Sequence, residues 1–436
     1  MFLQNWWYTT LLGVQQPASP PLTGDHEADL VVVGAGMAGI CAALRAMQSG
    51  RRVMVVERNI FGGSSTGKSA GFLTPDSELE LSQLMRRYGA AGAKDLWSVP
   101  VRGIELILAT AQEHGFSCDL NRQDSLYLGK GSSGAEAVRE EAESRSALGF
   151  ESTVYSKEEL PRVIGSDAYS GGIRYSETWG IDALRFAQQA KRVLLDHGVV
   201  VHESSEVVEI GDHLVRTHLG SVRAAEVIVC ADKLPRSLTP HADNVFHAQT
   251  FLSISEPLGD REVMEMFPGD RFQCWDSDLV YSYFRLTGDN RLLLGGGSAP
   301  TTFSLQALQS TRVINRVVNG FRNAFPALSR VRFVQYWPGL IDTTRDLLPT
   351  VLRDEKSPWL HFVLGCVGLP WAAFCGDFAA RHVLDPGNQE DHHYYHYFRP
   401  TRPFFVPLSL EGLLGKPLVF AMNNAWAKYV QVDRTT

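Results

Sequence analysis

Two hydrophobic periods alternate along this chain. The run Leu30–Val33 is apolar throughout, as in a strand buried on both faces, and it ends at Gly34-Ala35-Gly36-Met37-Ala38-Gly39. A helical pattern continues to Met47, Gly50 breaks it, and a second apolar run, Val53–Val56, closes on Glu57. Helical spacing returns over 78–88 and 94–114, with a strand over 125–128 and a charged, exposed helix over 136–148. Another helix is expected over 182–197 and a strand over 199–202. The segments 206–210, 213–219 and 222–223 read as a small meander that ends in a buried strand over 226–230. From Phe246 to Gly297 the period shortens to alternating strands, notably 280–286 and 291–297, joined through Gly288-Asp289-Asn290. A helix over 311–325, a short strand over 361–364 and a helix over 370–383 opened by Pro370 complete the series. The pattern predicts an α/β fold whose later strands form an α+β region, with no internal repeat.

The stretch from Ala28 to Arg58 carries the chemistry. Gly34 makes a sharp turn off the strand. Gly36 lets the backbone approach a pyrophosphate, and Gly39 lets the helix lie close to the strand. The start of the helix offers free N–H groups and a partial positive charge to phosphates. Glu57, at the end of the second strand, can accept hydrogen bonds from a ribose. Gly-x-Gly-x-x-Gly alone is a weak signal. Inside a complete strand–helix–strand unit with an acid at this spacing it points to a dinucleotide.

Composition narrows the class further. The 436 residues are 44% hydrophobic and 20% charged, enough for a large core, and the net charge is −7. No dense Lys/Arg run gives a nucleic-acid footprint. Six cysteines are scattered without a Cys-x-x-Cys pair, which favours reduced thiols and a cytoplasmic setting. The apolar first fourteen residues lack a basic lead, so they read as an arm against the fold rather than a signal peptide. No run is long and apolar enough to span a bilayer. The last fifty residues, with HHYYHYFRPTRPFF over 392–405, are too apolar for an ordinary disordered tail. They are expected to wrap onto the body or contact a partner or second copy.

The segment after the second strand separates NAD from FAD. Residues 62–71, Gly-Gly-Ser-Ser-Thr-Gly-Lys-Ser-Ala-Gly, resemble the small-residue loop of the FAD-dependent D-amino-acid oxidase, glycine oxidase and sarcosine oxidase family. The likeness continues through 199–210, 227–240, the sheet segments FLSISEPL and YSYFRLTGDNRLLLGGG, WPGLIDTTRDLLPTV over 337–351, and HFVLGCVGLPWAAFCGDFAARHVL over 361–384. YFRLTGDNRLL and TRDLLP resemble most the γ-glutamylputrescine oxidase branch. The resemblance implies a Rossmann-like FAD-binding domain of the glutathione-reductase type with an interleaved antiparallel-sheet substrate domain. The implied division is an arm over 1–27, cofactor parts over 28–90, 178–240 and 335–385, substrate parts over 91–177 and 241–334, and an aromatic extension over 386–436. It implies FAD, non-covalent rather than covalent, held by Gly34, Gly36, Met37, Ala38, Gly39, Glu57, Arg58, Gly63, Ser64, Ser65, Thr66, Lys68, Ser69, Ala70, Gly71, Val207, Gly339, Gly365, Gly368, Leu369 and Pro370.

Three departures bear on the substrate. Cys230-Ala231-Asp232 stands where the family often has Ala/Thr-Gly. Gly365-Cys366-Val367-Gly368-Leu369-Pro370 replaces Gly-x-x-Gly-His-Gly, and Pro370 removes one N–H donor from the last helix start. Ile341 occupies the position of the carboxylate-binding arginine. This speaks against a simple α-amino acid and suits an amine, whose ammonium Asp342 could receive; the plainer reading of Asp342 is a salt bridge to Arg345.

Flavin amine oxidation asks little of protein acids and bases, because hydride passes to flavin N5 and the cofactor carries the hard step. The expected reaction oxidises a C–N bond of an amine or modified amino acid to an imine that hydrolyses. The acceptor is oxygen, or a quinone or carrier protein; a flavin-binding subunit with degraded catalysis is the alternative from another class. Neither a triad nor a metal is expected. The candidate catalytic residues are Asp342, Tyr283, Arg285 and Trp371. Arg285 would bind a distal carboxylate or pair with Asp289, and Trp371 would wall the pocket or fill core. Lys68 would place a cation near the ring, and Cys366 is read as a small buried hydrophobe.

Overall fold

The computed structural model describes residues 1–12, 16–76, 78–297, 308–402, 404, 406 and 410–429. Its two large sheets are built from interleaved parts of the chain. The first runs in the order Val200–His202, Val53–Val56, Gly24–Val33, Gly220–Val229, Leu214–Thr217, Val207–Gly211, and Leu360–Leu364 also pairs in parallel with Val227–Val229. Register aligns Val33 with Val56 and Val229, and Val56 with His202, so the carboxyl ends of the parallel strands share one edge. That edge is where doubly wound sheets bind ligands. Helix Met37–Met47 lies against helix Leu369–Leu384, which in turn lies against Leu81–Glu113. A β-carbon on Gly376 would sit 1.9 Å from Ala38 O, and one on Gly103 1.9 Å from Pro370 O, so small residues set both approaches.

Among the described residues the second sheet has nine strands, in the order Phe2–Leu3, Phe333–Thr343, Phe246–Pro257, Arg291–Gly296, Tyr283–Leu286, Phe272–Asp276, Asp124–Gly129, Gly171–Tyr175, Thr153–Ser156. Helix Thr311–Ala324 buries Val313, Ile314, Val317, Val318 and Phe321 in a core shared with Phe251, Phe284 and Leu294 of this sheet. On the sheet's other face Leu252, Ile254, Leu293 and Trp337 pack with Trp7, Leu184, Ile60 and Ala70.

The structure corrects several expectations. Phe333–Thr343 belongs to the second sheet, so the chain returns to the first sheet only with Thr350–Arg353, not at 335. The expected segments 222–223 and 226–230 are one strand, Gly220–Val229, because it pairs with Gly24–Val33 along its whole length. The helices expected over 78–88 and 94–114 are one line, Leu81–Glu113, broken at Gly89 (φ 70°, ψ −178°). The arm is a two-residue edge strand followed by helix Trp6–Thr10.

The C-terminal extension folds back on its own chain; Pro403 and Phe405 of the aromatic run lie outside the described residues. Arg402 donates through Nε and Nη2 to the Asp346 carboxylate (2.8 and 2.7 Å) and to Leu348 O (2.6 Å), while Arg87 reaches Asp346 from the other side (3.3 Å). Phe420 stacks on Phe246 with ring centroids 5.4 Å apart. Among the described residues no helix is long and apolar enough to cross a membrane, and all six cysteines are unpaired.

Candidate functional site

The glycine turn at the carboxyl edge of the first sheet fixes the site. Gly34 has φ +95°, and a β-carbon there would meet Cys230 O at 2.9 Å. A β-carbon on Gly39 would fall 1.9 Å from Gly34 O, so its absence lets the helix start against the turn. No side chain caps the helix as an N-cap residue, but Thr66 Oγ1 accepts from Met37 N–H (2.9 Å). Glu57 accepts from the N–H groups of Ala35 (2.8 Å) and Asn59 (2.9 Å). Burial pushes its carboxyl up, against those two bonds.

The small-residue loop is held from outside, by its carbonyls. Asn5 Nδ2 donates to Gly67 O (2.6 Å), Trp7 Nε1 to Ser69 O (2.8 Å), and Tyr8 Oη to Gly63 O (2.9 Å). Trp337 Nε1 donates to Lys68 O (3.0 Å) and Arg285 Nε to Ala70 O (2.7 Å). The N-terminal arm is therefore part of the site's scaffold. Sequence reading placed it on the fold but found no partner for it, because each bond spans more than fifty positions.

Two cavities that share a wall open on this loop, and a third touches it at Gly63–Ser65 and Lys68. The first, about 1250 Å³, runs over the glycine turn, Glu57, Arg58, Ser64–Thr66, Val207 and the segment 230–235 to Gly365–Leu369. Met37 and Ala38 also line it. The second, about 1210 Å³, lies between the loop and the second sheet and is lined by Lys68, Ala70, Gly71, Phe72, Thr250, Trp275, Tyr281, Tyr283 and Gly339 among others. They share Ser65, Ser69, Ile341, Val367, Gly368 and Leu369 as a common wall. The uncapped start of helix Leu369–Leu384 is part of that wall, so its positive end faces both spaces.

Tyr283 lines the second cavity, bonded to Thr250 Oγ1 (2.8 Å), and burial pushes its hydroxyl up to about 12. Lys68 lines it too. Burial, then Lys233 and Arg58, hold its ammonium below the usual lysine value.

Other candidates fall elsewhere. Arg285 is fully buried and donates to the carbonyls of Ala70, Ile181 (2.9 Å) and Leu286 (3.2 Å); it lines neither cavity and does not pair with Asp289, which Arg291 takes. Asp342 lines the first cavity and not the second. It accepts from Lys233 N–H (2.6 Å) and bonds His247 Nδ1 (2.8 Å) across the strand register His247–Asp342. Its expected partner, Arg345, pairs instead with Glu411. Trp371 fills core against Phe398, ring centroids 6.4 Å apart, and lines neither cavity. Gly39, Gly63 and Pro370 also stand outside both: Gly39 and Pro370 make close backbone approaches, and Gly63 meets Ile60 and Tyr8. Cys366 is half-buried and lines the first cavity.

Sequence reading missed Asp232 and Lys233. Asp232 accepts from Ser65 Oγ, and Lys233 Nζ reaches the same Oγ at 3.2 Å, tying the end of strand Gly220–Val229 to the loop. The substitution Asp232 for the family's glycine was the available signal. It also missed Trp275 and Tyr281, which the alternating pattern did not separate from core aromatics.

The first cavity is shaped for a dinucleotide. A tight glycine turn, an open helix start, an acid at the end of the second strand and a small-residue loop succeed one another along it. The family model of FAD-dependent oxidoreductases (DAO) matches residues 29–382. The chain belongs to that family. It is 27% identical over 360 residues to the probable oxidoreductase OrdL of Haemophilus influenzae, covering 80% of each chain. It is 26% identical over 349 residues to the γ-glutamylputrescine oxidoreductase of Escherichia coli, covering 78% of this chain and 79% of that protein. The crystal structure of glycine oxidase from Geobacillus kaustophilus superposes with a TM-score of 0.72 at 18% identity, covering 84% of this chain and 96% of that one.

Proposed function

We propose that this FAD-dependent oxidoreductase oxidises the C–N bond of an amine bound in the second cavity. The observation that carries this reading is the charge of that cavity. Its described lining has no arginine or histidine, one cation (Lys68) and two carboxylates (Asp76 and Glu78). A substrate anchored by its α-carboxylate would need a guanidinium here; an amine would not.

FAD fits the first cavity, held without a covalent bond by the turn over 34–38, Glu57, Arg58, Val207 and the loop over 64–69. When bound, FAD would supply a two-electron acceptor for the hydride leaving the carbon that bears nitrogen; the nitrogen gives up a proton, and water splits the resulting imine to a carbonyl compound and an amine or ammonia. The chain's own residues orient and desolvate. Ile341, Val367 and Leu369 place an apolar wall between the cavities, which keeps water from the reacting carbon. Lys68 disfavours an ammonium beside it, so the amine that reacts is the neutral form. Tyr283, neutral at ordinary pH, presents an aromatic side to the substrate rather than an acid or base. The unpaired thiols suit a cytoplasmic enzyme.

Anaerobic titration tests the reading. Alkyl amines should bleach the flavin band of the purified protein, whereas glycine, sarcosine and D-alanine should not. Bleaching by those amino acids and not by amines would overturn it.

A further inference from the structure

Trp275 and Tyr283 face each other in register across two strands of the second sheet, and both line the second cavity. Tyr283 is tied within the sheet, to Thr250. Trp275 is tied outside it: its Nε1–H donates to Glu80 Oε1 (2.9 Å). Tyr175 Oη donates to the other oxygen, Oε2 (2.6 Å), and its ring centroid lies 5.7 Å from that of Trp275. Glu80 immediately precedes helix Leu81–Glu113, and its own N–H donates to Gln83 Oε1 (2.9 Å), so the carboxylate stands on a fixed helix start. Glu141, fully buried on helix Gly131–Leu148, accepts from Ser82 N–H (2.8 Å) beside it. Arg145, 3.8 Å from Glu141, is the cation that acts on both carboxylates. Burial, then Glu141, push the Glu80 carboxyl up to about 7, against its two hydrogen bonds and Arg145. Glu80 also lines an outer vestibule of about 1040 Å³, through which a proton reaches it. That space is shared with Asp76, Glu78 and Arg86 on its own side, Glu136 and Glu140 on the helix, and Tyr127, Asp276, Asp278 and Tyr281 around Trp275.

We infer that Glu80 is a positioning residue for the substrate: through its bond to the Trp275 indole it sets one wall of the second cavity, and a proton on Glu80 loosens that wall and weakens amine binding. This rests on the amine reading above and adds a residue that the reading does not use. An indole N–H can only donate, so Trp275 depends on the acceptor it is given. A carboxylate accepts it in a charge-assisted bond about twice as strong as a neutral one. A proton on Glu80 leaves the indole a neutral acceptor. It also sets a carboxyl O–H against Tyr175 Oη, which must then accept where it now donates. Glu80 and Glu141 share one burial and one cation, so the proton belongs to the pair, and Glu80 is the member that touches the cavity wall.

The test follows anaerobic flavin reduction of the holoenzyme by n-butylamine, wild type against Glu80→Gln, over a range of pH. Glutamine keeps the volume and the acceptor but never the charge. Taking the ratio of apparent Kd values at each pH cancels the ionisation of the amine itself. The variant should bind about fivefold more weakly at about pH 9 and equally well at about pH 5.5, with the limiting rate changed by less than about twofold. In a Trp275→Phe background, which keeps a ring and loses the N–H, Glu80→Gln should add nothing; a purely structural Glu80 would cost the same in both backgrounds. Should Glu80→Gln not fold, Trp275→Phe against wild type must give the same pH-dependent ratio. Near-ultraviolet circular dichroism reads the event without turnover: the wild-type holoenzyme should show a step around neutral pH that Trp275→Phe lacks. A ratio that does not vary with pH, equal losses in both backgrounds, or a dichroism step that survives Trp275→Phe would overturn the positioning role while leaving amine oxidation standing. Failure of n-butylamine to reduce the flavin would instead remove the reading beneath it, and the dichroism step would still decide whether Glu80 sets the Trp275 ring.

Discussion

Arg285→Met separates a scaffold role from a substrate role at a position where sequence pointed the wrong way. The guanidinium donates to Ala70 O, Ile181 O and Leu286 O, and no carboxylate is bonded to it. Burial depresses its pKa to about 10, and at 1.36 kcal/mol per pKa unit that burial costs roughly 3 kcal/mol. Hydrogen bonds to a charged group contribute about 1.5–3 kcal/mol each, so three of them outweigh the cost. Methionine removes both, leaves the three carbonyls short of a donor, and fills most of the volume. The net loss expected is about 3 kcal/mol, which at this chain length lowers the melting temperature by about 3 °C. Because Ala70 sits in the small-residue loop, FAD should also dissociate more readily. Calorimetry and flavin fluorescence during dialysis read the two effects. An unchanged melting point and full flavin retention, with a KM for amine raised tenfold, would show that Arg285 meets the substrate and refute this account.

Three further outcomes are expected from the same geometry. Trp7→Ala removes the donor to Ser69 O and should weaken FAD binding several-fold while leaving the far edge of the second sheet intact, measured by flavin titration of the apoprotein; unaltered affinity would remove the arm from the site. Asp346 feels burial, which raises its pKa, but Arg402 and then Arg87 and Thr344 outweigh it and hold the carboxyl at about 2 against 3.8. Its stabilising contribution of roughly 2 kcal/mol is therefore complete above pH 3.8 and is lost as pH falls through 2, and Arg402→Ala, which strands part of that charge, should cost about 4 kcal/mol in denaturant melts. Lys68→Met should shift the acidic limb of the flavin-reduction pH profile upward by about one unit, since losing the cation lets the bound amine hold its proton more tightly; an unmoved limb would place Lys68 away from the reacting nitrogen.

The strand–turn–helix–strand unit is legible because every constraint on it is local. Period, turn residues and the acid at its end lie within the single stretch Leu30–Arg58, and the structure keeps each in place. Of the catalytic candidates only Tyr283 lines the second cavity; Arg285, Asp342 and Trp371 are not legible, because their surroundings are set by register and packing between distant segments. Arg285 does alternate with Phe284 on its strand, but the loop carbonyls of Ala70 and Ile181 close over it before the cavity begins. Asp342 has Arg345 three positions away, yet its strand pairs it with His247 and turns Arg345 toward Glu411 in the extension. The composition of the aromatic tail shows that it is too apolar to be free, but Asp346, the group that receives Arg402, lies 56 positions upstream and nothing in the local pattern links them. Asp76 and Glu78 show no pattern at all; only the meeting of the loop with strands Phe272–Asp276 and Tyr283–Leu286 gives them a cavity to face.

On the proposed reading, the cleft over residues 34–39 and 64–69 holds an adenine–flavin cofactor beside an amine cavity with which it shares a wall. Flavin content and spectrum of the reconstituted protein test it most directly. A yellow protein with one FAD per chain is expected, whose visible band shifts when a non-oxidisable amine enters the second cavity and whose colour is released by acid precipitation. A chain that stays colourless in excess FAD, or that takes up NAD in its place, would contradict it.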